Sequence, residues 1–264
     1  MSRRAPGYRR LRELLSERDR AIVKQVADLR LMGARQIEAI HFPVGEHESA
    51  AAAARARQRV LERLVTYGLL SRLGRRIGGV RAGSASFIYA LGPTGQRVIA
   101  PDGRRRRFHE PTERFVDHTL AVAQLIVDVT VADRAGEIEL MVCQAEPRSW
   151  REYGGLAGRQ LLRPDAFVAL GAGDFEHRWF IEVDRASESL PVVLRKCRQY
   201  VAYYQTGTEQ AAHDVFPRVC WLVPHTRRAD ALRKAIAAQR DLPSGLLAVA
   251  LSDDAVPALV GGER

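Results

Sequence analysis

Cysteine is scarce in this 264-residue sequence. Three cysteines that are far apart and odd in number exclude a disulfide framework and a CxxC zinc site. We expect them to serve as small buried side chains in a reducing cytoplasm. They are Cys143, Cys197 and Cys220.

Long apolar runs are also missing. No stretch of about 18 apolar residues is free of charge, so we expect no membrane span. The N-terminal MSRRAPGYRRLRELLSERDR has no apolar core, which predicts that it is not a secretory signal peptide. With 46% hydrophobic and 27% charged residues, the composition is that of a soluble globular protein. We therefore expect a cytoplasmic protein without a membrane partner.

Positive charge is concentrated in the first 110 residues. They contain 23 Lys and Arg against 10 Asp and Glu, a net charge of +13, whereas residues 111–264 contain 18 against 21, a net charge of −3. Arginine supplies 38 of the 41 cationic residues, so each of the three lysines is a distinctive position. A basic domain favours a polyanionic partner, most often nucleic acid or a membrane surface.

Hydrophobic periodicity and turn residues divide the chain into segments. Residues 1–15 are a basic N-terminal arm, either a solvated tail or an arm along DNA phosphates. Residues 16–100 predict three helices, then two strands around an Arg- and Gly-rich loop, which is the order of a winged helix-turn-helix domain. The predicted helices are 17–30, 34–42 and 49–67, the strands 69–73 and 86–91, and a short helix begins at Pro93.

A basic linker over 101–110 is predicted to lead into an α/β domain over 111–264, with a mixed sheet. The hydrophobic residues of this domain follow helical and strand spacing in turn, which predicts the order α-β-β-β-α-β-α-β. The predicted helices are 111–132, 190–205 and 227–239, and the strands are 137–144, 164–170, 179–184, 218–223 and 246–251.

Arginines on the third helix predict a surface that contacts DNA. Arg55, Arg59 and Arg63 lie at i, i+4 and i+8, on one side of the helix. Arginine contacts phosphates or the O6/N7 edge of guanine. Alternatively, each arginine only solvates a helix face, and a winged helix also binds proteins. Five more residues are candidates, two at the start of the second helix and three in the loop: Arg35, Gln36, Arg75, Arg76 and Arg81.

Acidic residues stand at the ends of two neighbouring strands in the second half. Asp165 stands at the start of one strand of a predicted hairpin, and Glu182 and Asp184 end the next. Two adjacent carboxylates favour a bound cation, and Mg²⁺ or Mn²⁺ takes such oxygen ligands. An ion of this kind polarises a phosphodiester and activates water. The alternatives are a strand cap at Asp165 and salt bridges of the other two acids with Arg163, Arg185 or Arg195.

The text PD…EVD, on a hairpin between two helices, resembles the PD-(D/E)XK nuclease superfamily. The resemblance implies a restriction-endonuclease-like fold in which Asp165 and Glu182 bind the metal. A lysine two residues after the glutamate assists catalysis in that pattern, but this position is Asp184 here. Lys196 on the following helix is the candidate replacement.

The same helix contains a second likeness to nucleases. Gln199 and Tyr203, at i and i+4, are similar to the QxxxY element of some nuclease branches. The catalytic set implied by the resemblance is therefore Asp165, Glu182, Asp184, Lys196 and Gln199.

Most of the chain resembles the replication-relaxation family of bacterial plasmids and integrative elements. The resemblance covers about residues 16–205 and implies DNA binding and a role in replication, relaxation or transfer of such an element. Its partners would be duplex DNA and other mobile-element proteins. Residues 206–264 match no motif. The matching text is SERDRAIVKQVADLRLMGARQIEAIHFP, ERLVTYGLLSRL, YALGPTGQRV, DHTLAVAQL, RPDAFVAL and FIEVDRASESLPVVLRKCRQYVAYY.

Two functions follow. The first is a non-catalytic DNA-binding accessory protein, in which the nuclease-like domain is a scaffold. The second is a Mg²⁺-dependent DNA endonuclease, in which Lys196 steadies the scissile phosphate or orients water and Asp184 assists. A plain transcription regulator leaves the acidic hairpin without a use. Whether Lys196 reaches the carboxylates distinguishes the first two.

Overall fold

The chain forms two compact units, one ending at Val127 and the other beginning at Asp128. The computed structural model describes residues 11, 13–73, 87–100, 111–155 and 158–261. The predicted linker 101–110, the loop 74–86 and residues 1–10 of the predicted arm lie outside the described residues. The helix Glu113–Arg134 contributes residues to both units.

The first unit contains helices and a small antiparallel sheet. The elements are α1 (Glu17–Leu29), β1 (Leu31–Gly33), α2 (Ala34–His41), α3 (Ala50–Thr66), β2 (Leu70–Leu73), β3 (Ile88–Leu91) and α4 (Pro93–Ile99). The sheet order is β1-β3-β2, and β3 pairs with both neighbours. The strand β1 was not predicted, because three residues are too short to show a period.

The start of α1 is fixed by a capping box. The Ser16 Oγ accepts a hydrogen bond from the Asp19 N–H at 3.1 Å, and Asp19 Oδ2 accepts one from the Ser16 N–H at 3.1 Å. Two N–H groups at the helix start are satisfied in this way. The helix then buries its apolar face, as its periodicity predicted, through Ile22, Val23, Val26 and Leu29.

The second unit is built on a mixed five-stranded sheet. The elements are α5 (Glu113–Arg134), which begins in the first unit, β4 (Glu139–Ala145), β5 (Arg151–Gly155), β6 (Gly158–Leu162), β7 (Ala166–Ala172), β8 (Phe175–Val183), α6 (Leu190–Tyr204), α7 (Thr208–His213), β9 (Arg218–Val223), α8 (Thr226–Ala237), β10 (Leu247–Leu251) and α9 (Ala255–Leu259). The sheet order is β10-β9-β8-β7-β4. Strands β4, β7 and β8 are antiparallel neighbours, whereas β8, β9 and β10 run parallel. The predicted mixed α/β fold is confirmed.

The core of this unit lies between the central strands and α6. The run Ala166–Leu170 is buried at every residue, which is typical of a strand covered on both faces. Helix α6 packs one face against it through Val193, Cys197, Tyr200 and Tyr203.

Two of the three cysteines are buried, as predicted. Cys197 and Cys220 are buried, Cys143 is partly buried, and all three are free thiols. Burial raises the pKa of each thiol to about 12. The thiolate is the reactive form, so these side chains are inert packing groups.

One described helix, α5, is long and apolar enough to cross a membrane by length and composition. The sequence-based expectation of no such segment considered only uncharged runs, whereas this helix includes Asp117 and Asp128. Leu125, Val127 and Val129 are buried in the protein. A core helix of a soluble protein meets the same criterion, so the finding is weak evidence for a membrane span.

Gly95 in α4 is required by a close approach of the backbone. A Cβ atom at this position would lie 2.2 Å from the Leu69 carbonyl oxygen and 2.7 Å from the Leu91 Cδ1. Helix propensity alone would favour alanine by about 1 kcal/mol. We expect the steric clash to outweigh the gain in helix propensity. Gly95→Ala should therefore lower the free energy of unfolding by about 1–3 kcal/mol, measured by urea denaturation. Gly45→Ala is the control, because nothing lies within 4 Å of its added methyl group. Equal stability of the two variants would contradict this prediction.

Candidate functional site

Two of the predicted acidic residues meet where β7 begins and β8 ends. The antiparallel register pairs Ala166 with Ile181, and the Asp165 N–H donates to the Ile181 carbonyl at 3.0 Å. The Asp165 Oδ2 accepts a hydrogen bond from the Val183 N–H at 2.7 Å. Asp165 is 6% exposed and Glu182 1%. The hairpin therefore buries both carboxylates at neighbouring positions.

Both oxygens of Glu182 are bound by side chains from α6. The Lys196 Nζ donates to Oε2, and the Tyr200 hydroxyl donates to Oε1. These two residues are four apart, so they project from the same face of the helix. The Lys196 side chain is 27% exposed, whereas Tyr200 is fully buried. Lys196 is thus the partly exposed one of the two side chains that bind Glu182.

Burial controls the protonation of this cluster. It raises the pKa of Glu182 from its usual 4.5 to about 8; the Asp165 carboxylate adds to the increase and Lys196 opposes it. Burial acts to lower the pKa of Lys196, but the carboxylates of Glu182 and Asp165 outweigh it and the pKa is raised. The Lys196 side chain therefore remains an ammonium group. Burial also raises the pKa of Tyr200, which remains a neutral hydrogen-bond donor.

Asp184 belongs to a different contact. Its Oδ2 accepts a hydrogen bond from Arg228 Nε at 2.5 Å, and its Oδ1 accepts one from the Ala186 N–H at 2.8 Å. Arg228 on α8 also donates to the Glu188 carbonyl at 2.7 Å. The salt-bridge alternative applies to Asp184, but its partner is Arg228 and not one of the three arginines proposed from the sequence. None of its described contacts joins it to Lys196.

Gln199 is not placed with the carboxylates. It is exposed, and the adjacent Tyr200 makes the contact with Glu182. Tyr203 donates instead to Glu209 Oε1 at 2.7 Å, which also accepts from Arg151 Nε at 2.8 Å. Gln199 and Tyr203, the QxxxY-like pair, therefore do not share a contact: the first is exposed and the second binds Glu209.

The carboxylates of Asp165 and Glu182 have the type of donor atom that a hard divalent cation binds, but the oxygens of Glu182 are already occupied. Asp165 and Glu182 offer the oxygen ligands that Mg²⁺ and Mn²⁺ prefer. Lys196 and Tyr200 occupy both Glu182 oxygens, so an ion would bind only after Lys196 leaves Oε2. Over the described part of the chain, no group of three or more His, Cys, Asp or Glu side chains could hold a metal.

The predicted DNA-contact arginines that the structure describes fall into two groups. Arg35, Arg55 and Arg59 are exposed and make no hydrogen bond or ion pair with any residue that the structure describes. Arg63 instead donates to both oxygens of the buried Asp19, at 2.7 and 2.9 Å. The predicted arginine stripe on α3 is therefore divided between solvent and the protein.

Gln36 is an interior residue, which corrects its assignment to a phosphate contact. Its Oε1 accepts from the Gly33 N–H at 2.9 Å and caps α2. Its Nε2 donates to the Leu120 carbonyl at 2.9 Å and to Gln124 Oε1 at 3.1 Å. The amide is thus satisfied inside the unit. Three further predicted DNA contacts, Arg75, Arg76 and Arg81, lie outside the described residues.

Sequence reasoning missed two residues that complete these contacts. Tyr200 had a usable signal, because it follows Lys196 by four residues on the predicted helix 190–205. Arg228 had none, because it lies 44 residues after Asp184 in the chain.

A comparison with models of protein families assigns the chain to one of them. The model of the replication-relaxation family matches residues 23–219. The chain belongs to the replication-relaxation family. Membership indicates a role in plasmid replication or relaxation. In this replication-relaxation protein the matched range includes Asp165, Glu182 and Lys196, and it ends before α8 and Arg228. No curated protein and no solved structure matches the chain.

Proposed function

We propose that this replication-relaxation protein binds duplex DNA through α2 and α3, as a cytoplasmic accessory protein of a plasmid or mobile element. The order of elements supports the proposal. A helix and a short strand precede α2 and α3, and a strand pair follows, with β3 between β1 and β2. This is the order of a winged helix-turn-helix domain, in which the second helix of the pair enters the major groove. Other mobile-element proteins are the proposed protein partners.

The observation that carries the proposal is a set of three exposed arginines without an ion-pair partner among the described residues. They are Arg35, Arg55 and Arg59. Two neighbouring arginines, Arg57 and Arg63, are instead paired with Glu38 and Asp19. A single exposed arginine is ordinary, but three on adjacent helices of a strongly basic segment form a surface suited to phosphates.

Removing two of these arginines tests the DNA-binding surface. We expect Arg55→Ala/Arg59→Ala to weaken duplex binding and to reduce the slope of log K against log salt by about 2, because each lost phosphate contact releases about one counterion fewer. Fluorescence anisotropy with a labelled duplex at several salt concentrations measures the slope.

The matched control is Arg198→Ala/Arg233→Ala, which removes the same charge from the second unit. Arg63→Ala is unsuitable as a DNA-contact probe, because it leaves Asp19 buried without its cation. An equal slope for the Arg55/Arg59 variant and the wild type would reject this surface.

A second candidate function, metal-dependent DNA cleavage, is favoured by the contact between Lys196 and Glu182. The lysine reaches Glu182 from the helix that follows the hairpin, an arrangement that favours an endonuclease. Asp165 and Glu182 would hold the ion, which polarises a phosphodiester and activates water. Lys196, released from Glu182, would bind the phosphate, while Tyr200 keeps Glu182 in position.

Cleavage of supercoiled plasmid with Mg²⁺ or Mn²⁺ tests this second function. We expect metal-dependent nicking by the wild type and a loss of 100-fold or more in Glu182→Gln and Lys196→Met. The exposed Lys234→Met, which removes the same charge elsewhere in the unit, should retain the activity. Intact DNA binding without cleavage by the wild type would make the second unit a scaffold.

A further inference from the structure

A single acidic residue interrupts the basic stretch that includes α3. Between Glu48 and Asp102 the sequence contains nine arginines and one carboxylate, Glu62. This carboxylate is exposed on α3, beside the unpartnered Arg59. A surface that bound only phosphates would gain nothing from a negative charge at this position.

The contacts of Glu62 hold it on this surface without neutralising it. Gln58 Nε2 donates to Glu62 Oε1 at 3.1 Å, across one turn of the helix. Arg59 has the helical spacing of an ion-pair partner but makes no such pair in the structure, and Arg63 is bound to Asp19. Glu62 therefore presents a charged acceptor to solvent in an orientation that Gln58 supports.

The chemistry of DNA restricts what such an acceptor can bind. Phosphates repel a carboxylate, and the groups in the major groove that donate hydrogen bonds are the amino groups of cytosine and adenine. A carboxylate pairs with cytosine N4, whereas adenine is read in a bidentate way by Asn or Gln. An acid on a DNA-facing helix thus discourages contacts with phosphate and permits contact with one kind of base edge.

We propose that Glu62 is a specificity-determining residue that accepts a hydrogen bond from the N4 amino group of a cytosine in the major groove. The inference rests on the proposed DNA binding by α3 and deepens it. Arg59, one turn earlier, contacts guanine or phosphate at a neighbouring position. The protein accordingly recognises a base sequence and does not bind duplex DNA by charge alone.

Selection from a randomised duplex library, with the full chain, tests this assignment. The wild type should select cytosine at one position about tenfold over other bases. In Glu62→Gln the preference at that position should disappear or change to adenine, and affinity for random duplex should increase as one repulsive charge is lost. Glu17→Gln on α1 removes an equal charge from the same unit and should keep the wild-type preference.

The outcomes distinguish the proposed DNA binding from the proposed role of Glu62. Failure of the wild type to bind any duplex overturns the proposed DNA binding, and with it the role of Glu62. Duplex binding with the same base preference in Glu62→Gln and the wild type overturns only the role of Glu62. A preference altered equally by Glu17→Gln also overturns it, since the effect would then come from net charge.

Discussion

The second unit depends on hydrogen bonds to one carboxylate, that of Glu182, which lies near the end of a central strand with almost no exposure to water. Glu182 would be strongly destabilising without hydrogen-bond donors and a cation. Both come from α6, through Lys196 and Tyr200. The apolar side of the same helix packs into the core through Val193 and Cys197. Charge and apolar packing therefore require the same placement of α6 over the hairpin.

This arrangement places folding and the candidate chemistry in competition for the same atoms. The oxygens that would bind a divalent ion are those that Lys196 and Tyr200 satisfy in the folded protein. Loss of the Lys196 contact would weaken the fold and, in the proposed cleavage reaction, would release an ammonium group for a phosphate. Sites of this kind commonly reduce stability in favour of function. The partial exposure of Lys196 makes it the member of the cluster that can change partner.

Local signals predicted most of the helices and strands, while contacts between distant segments escaped prediction. The capping box of Ser16 and Asp19 was readable because its members are three residues apart. The hairpin β5–β6 was missed, since its short strands are rich in glycine and partly exposed. Spacing placed Arg63 with Arg55 and Arg59, but its partner Asp19 is 44 residues away. The family was recognisable from the text of the sequence, whereas the cation that satisfies Asp184 was not.

The bond between Asp19 and Arg63 gives one carboxylate two tasks, capping α1 and holding α3. The orientation of α3 is consequently set when the unit folds. In the proposed complex with DNA, the exposed arginines of α3 would therefore have fewer degrees of freedom left to lose. Residues outside the proposed surface would preorganise it, so sequence variation at the start of α1 would tune the affinity without changing any side chain that touches the DNA.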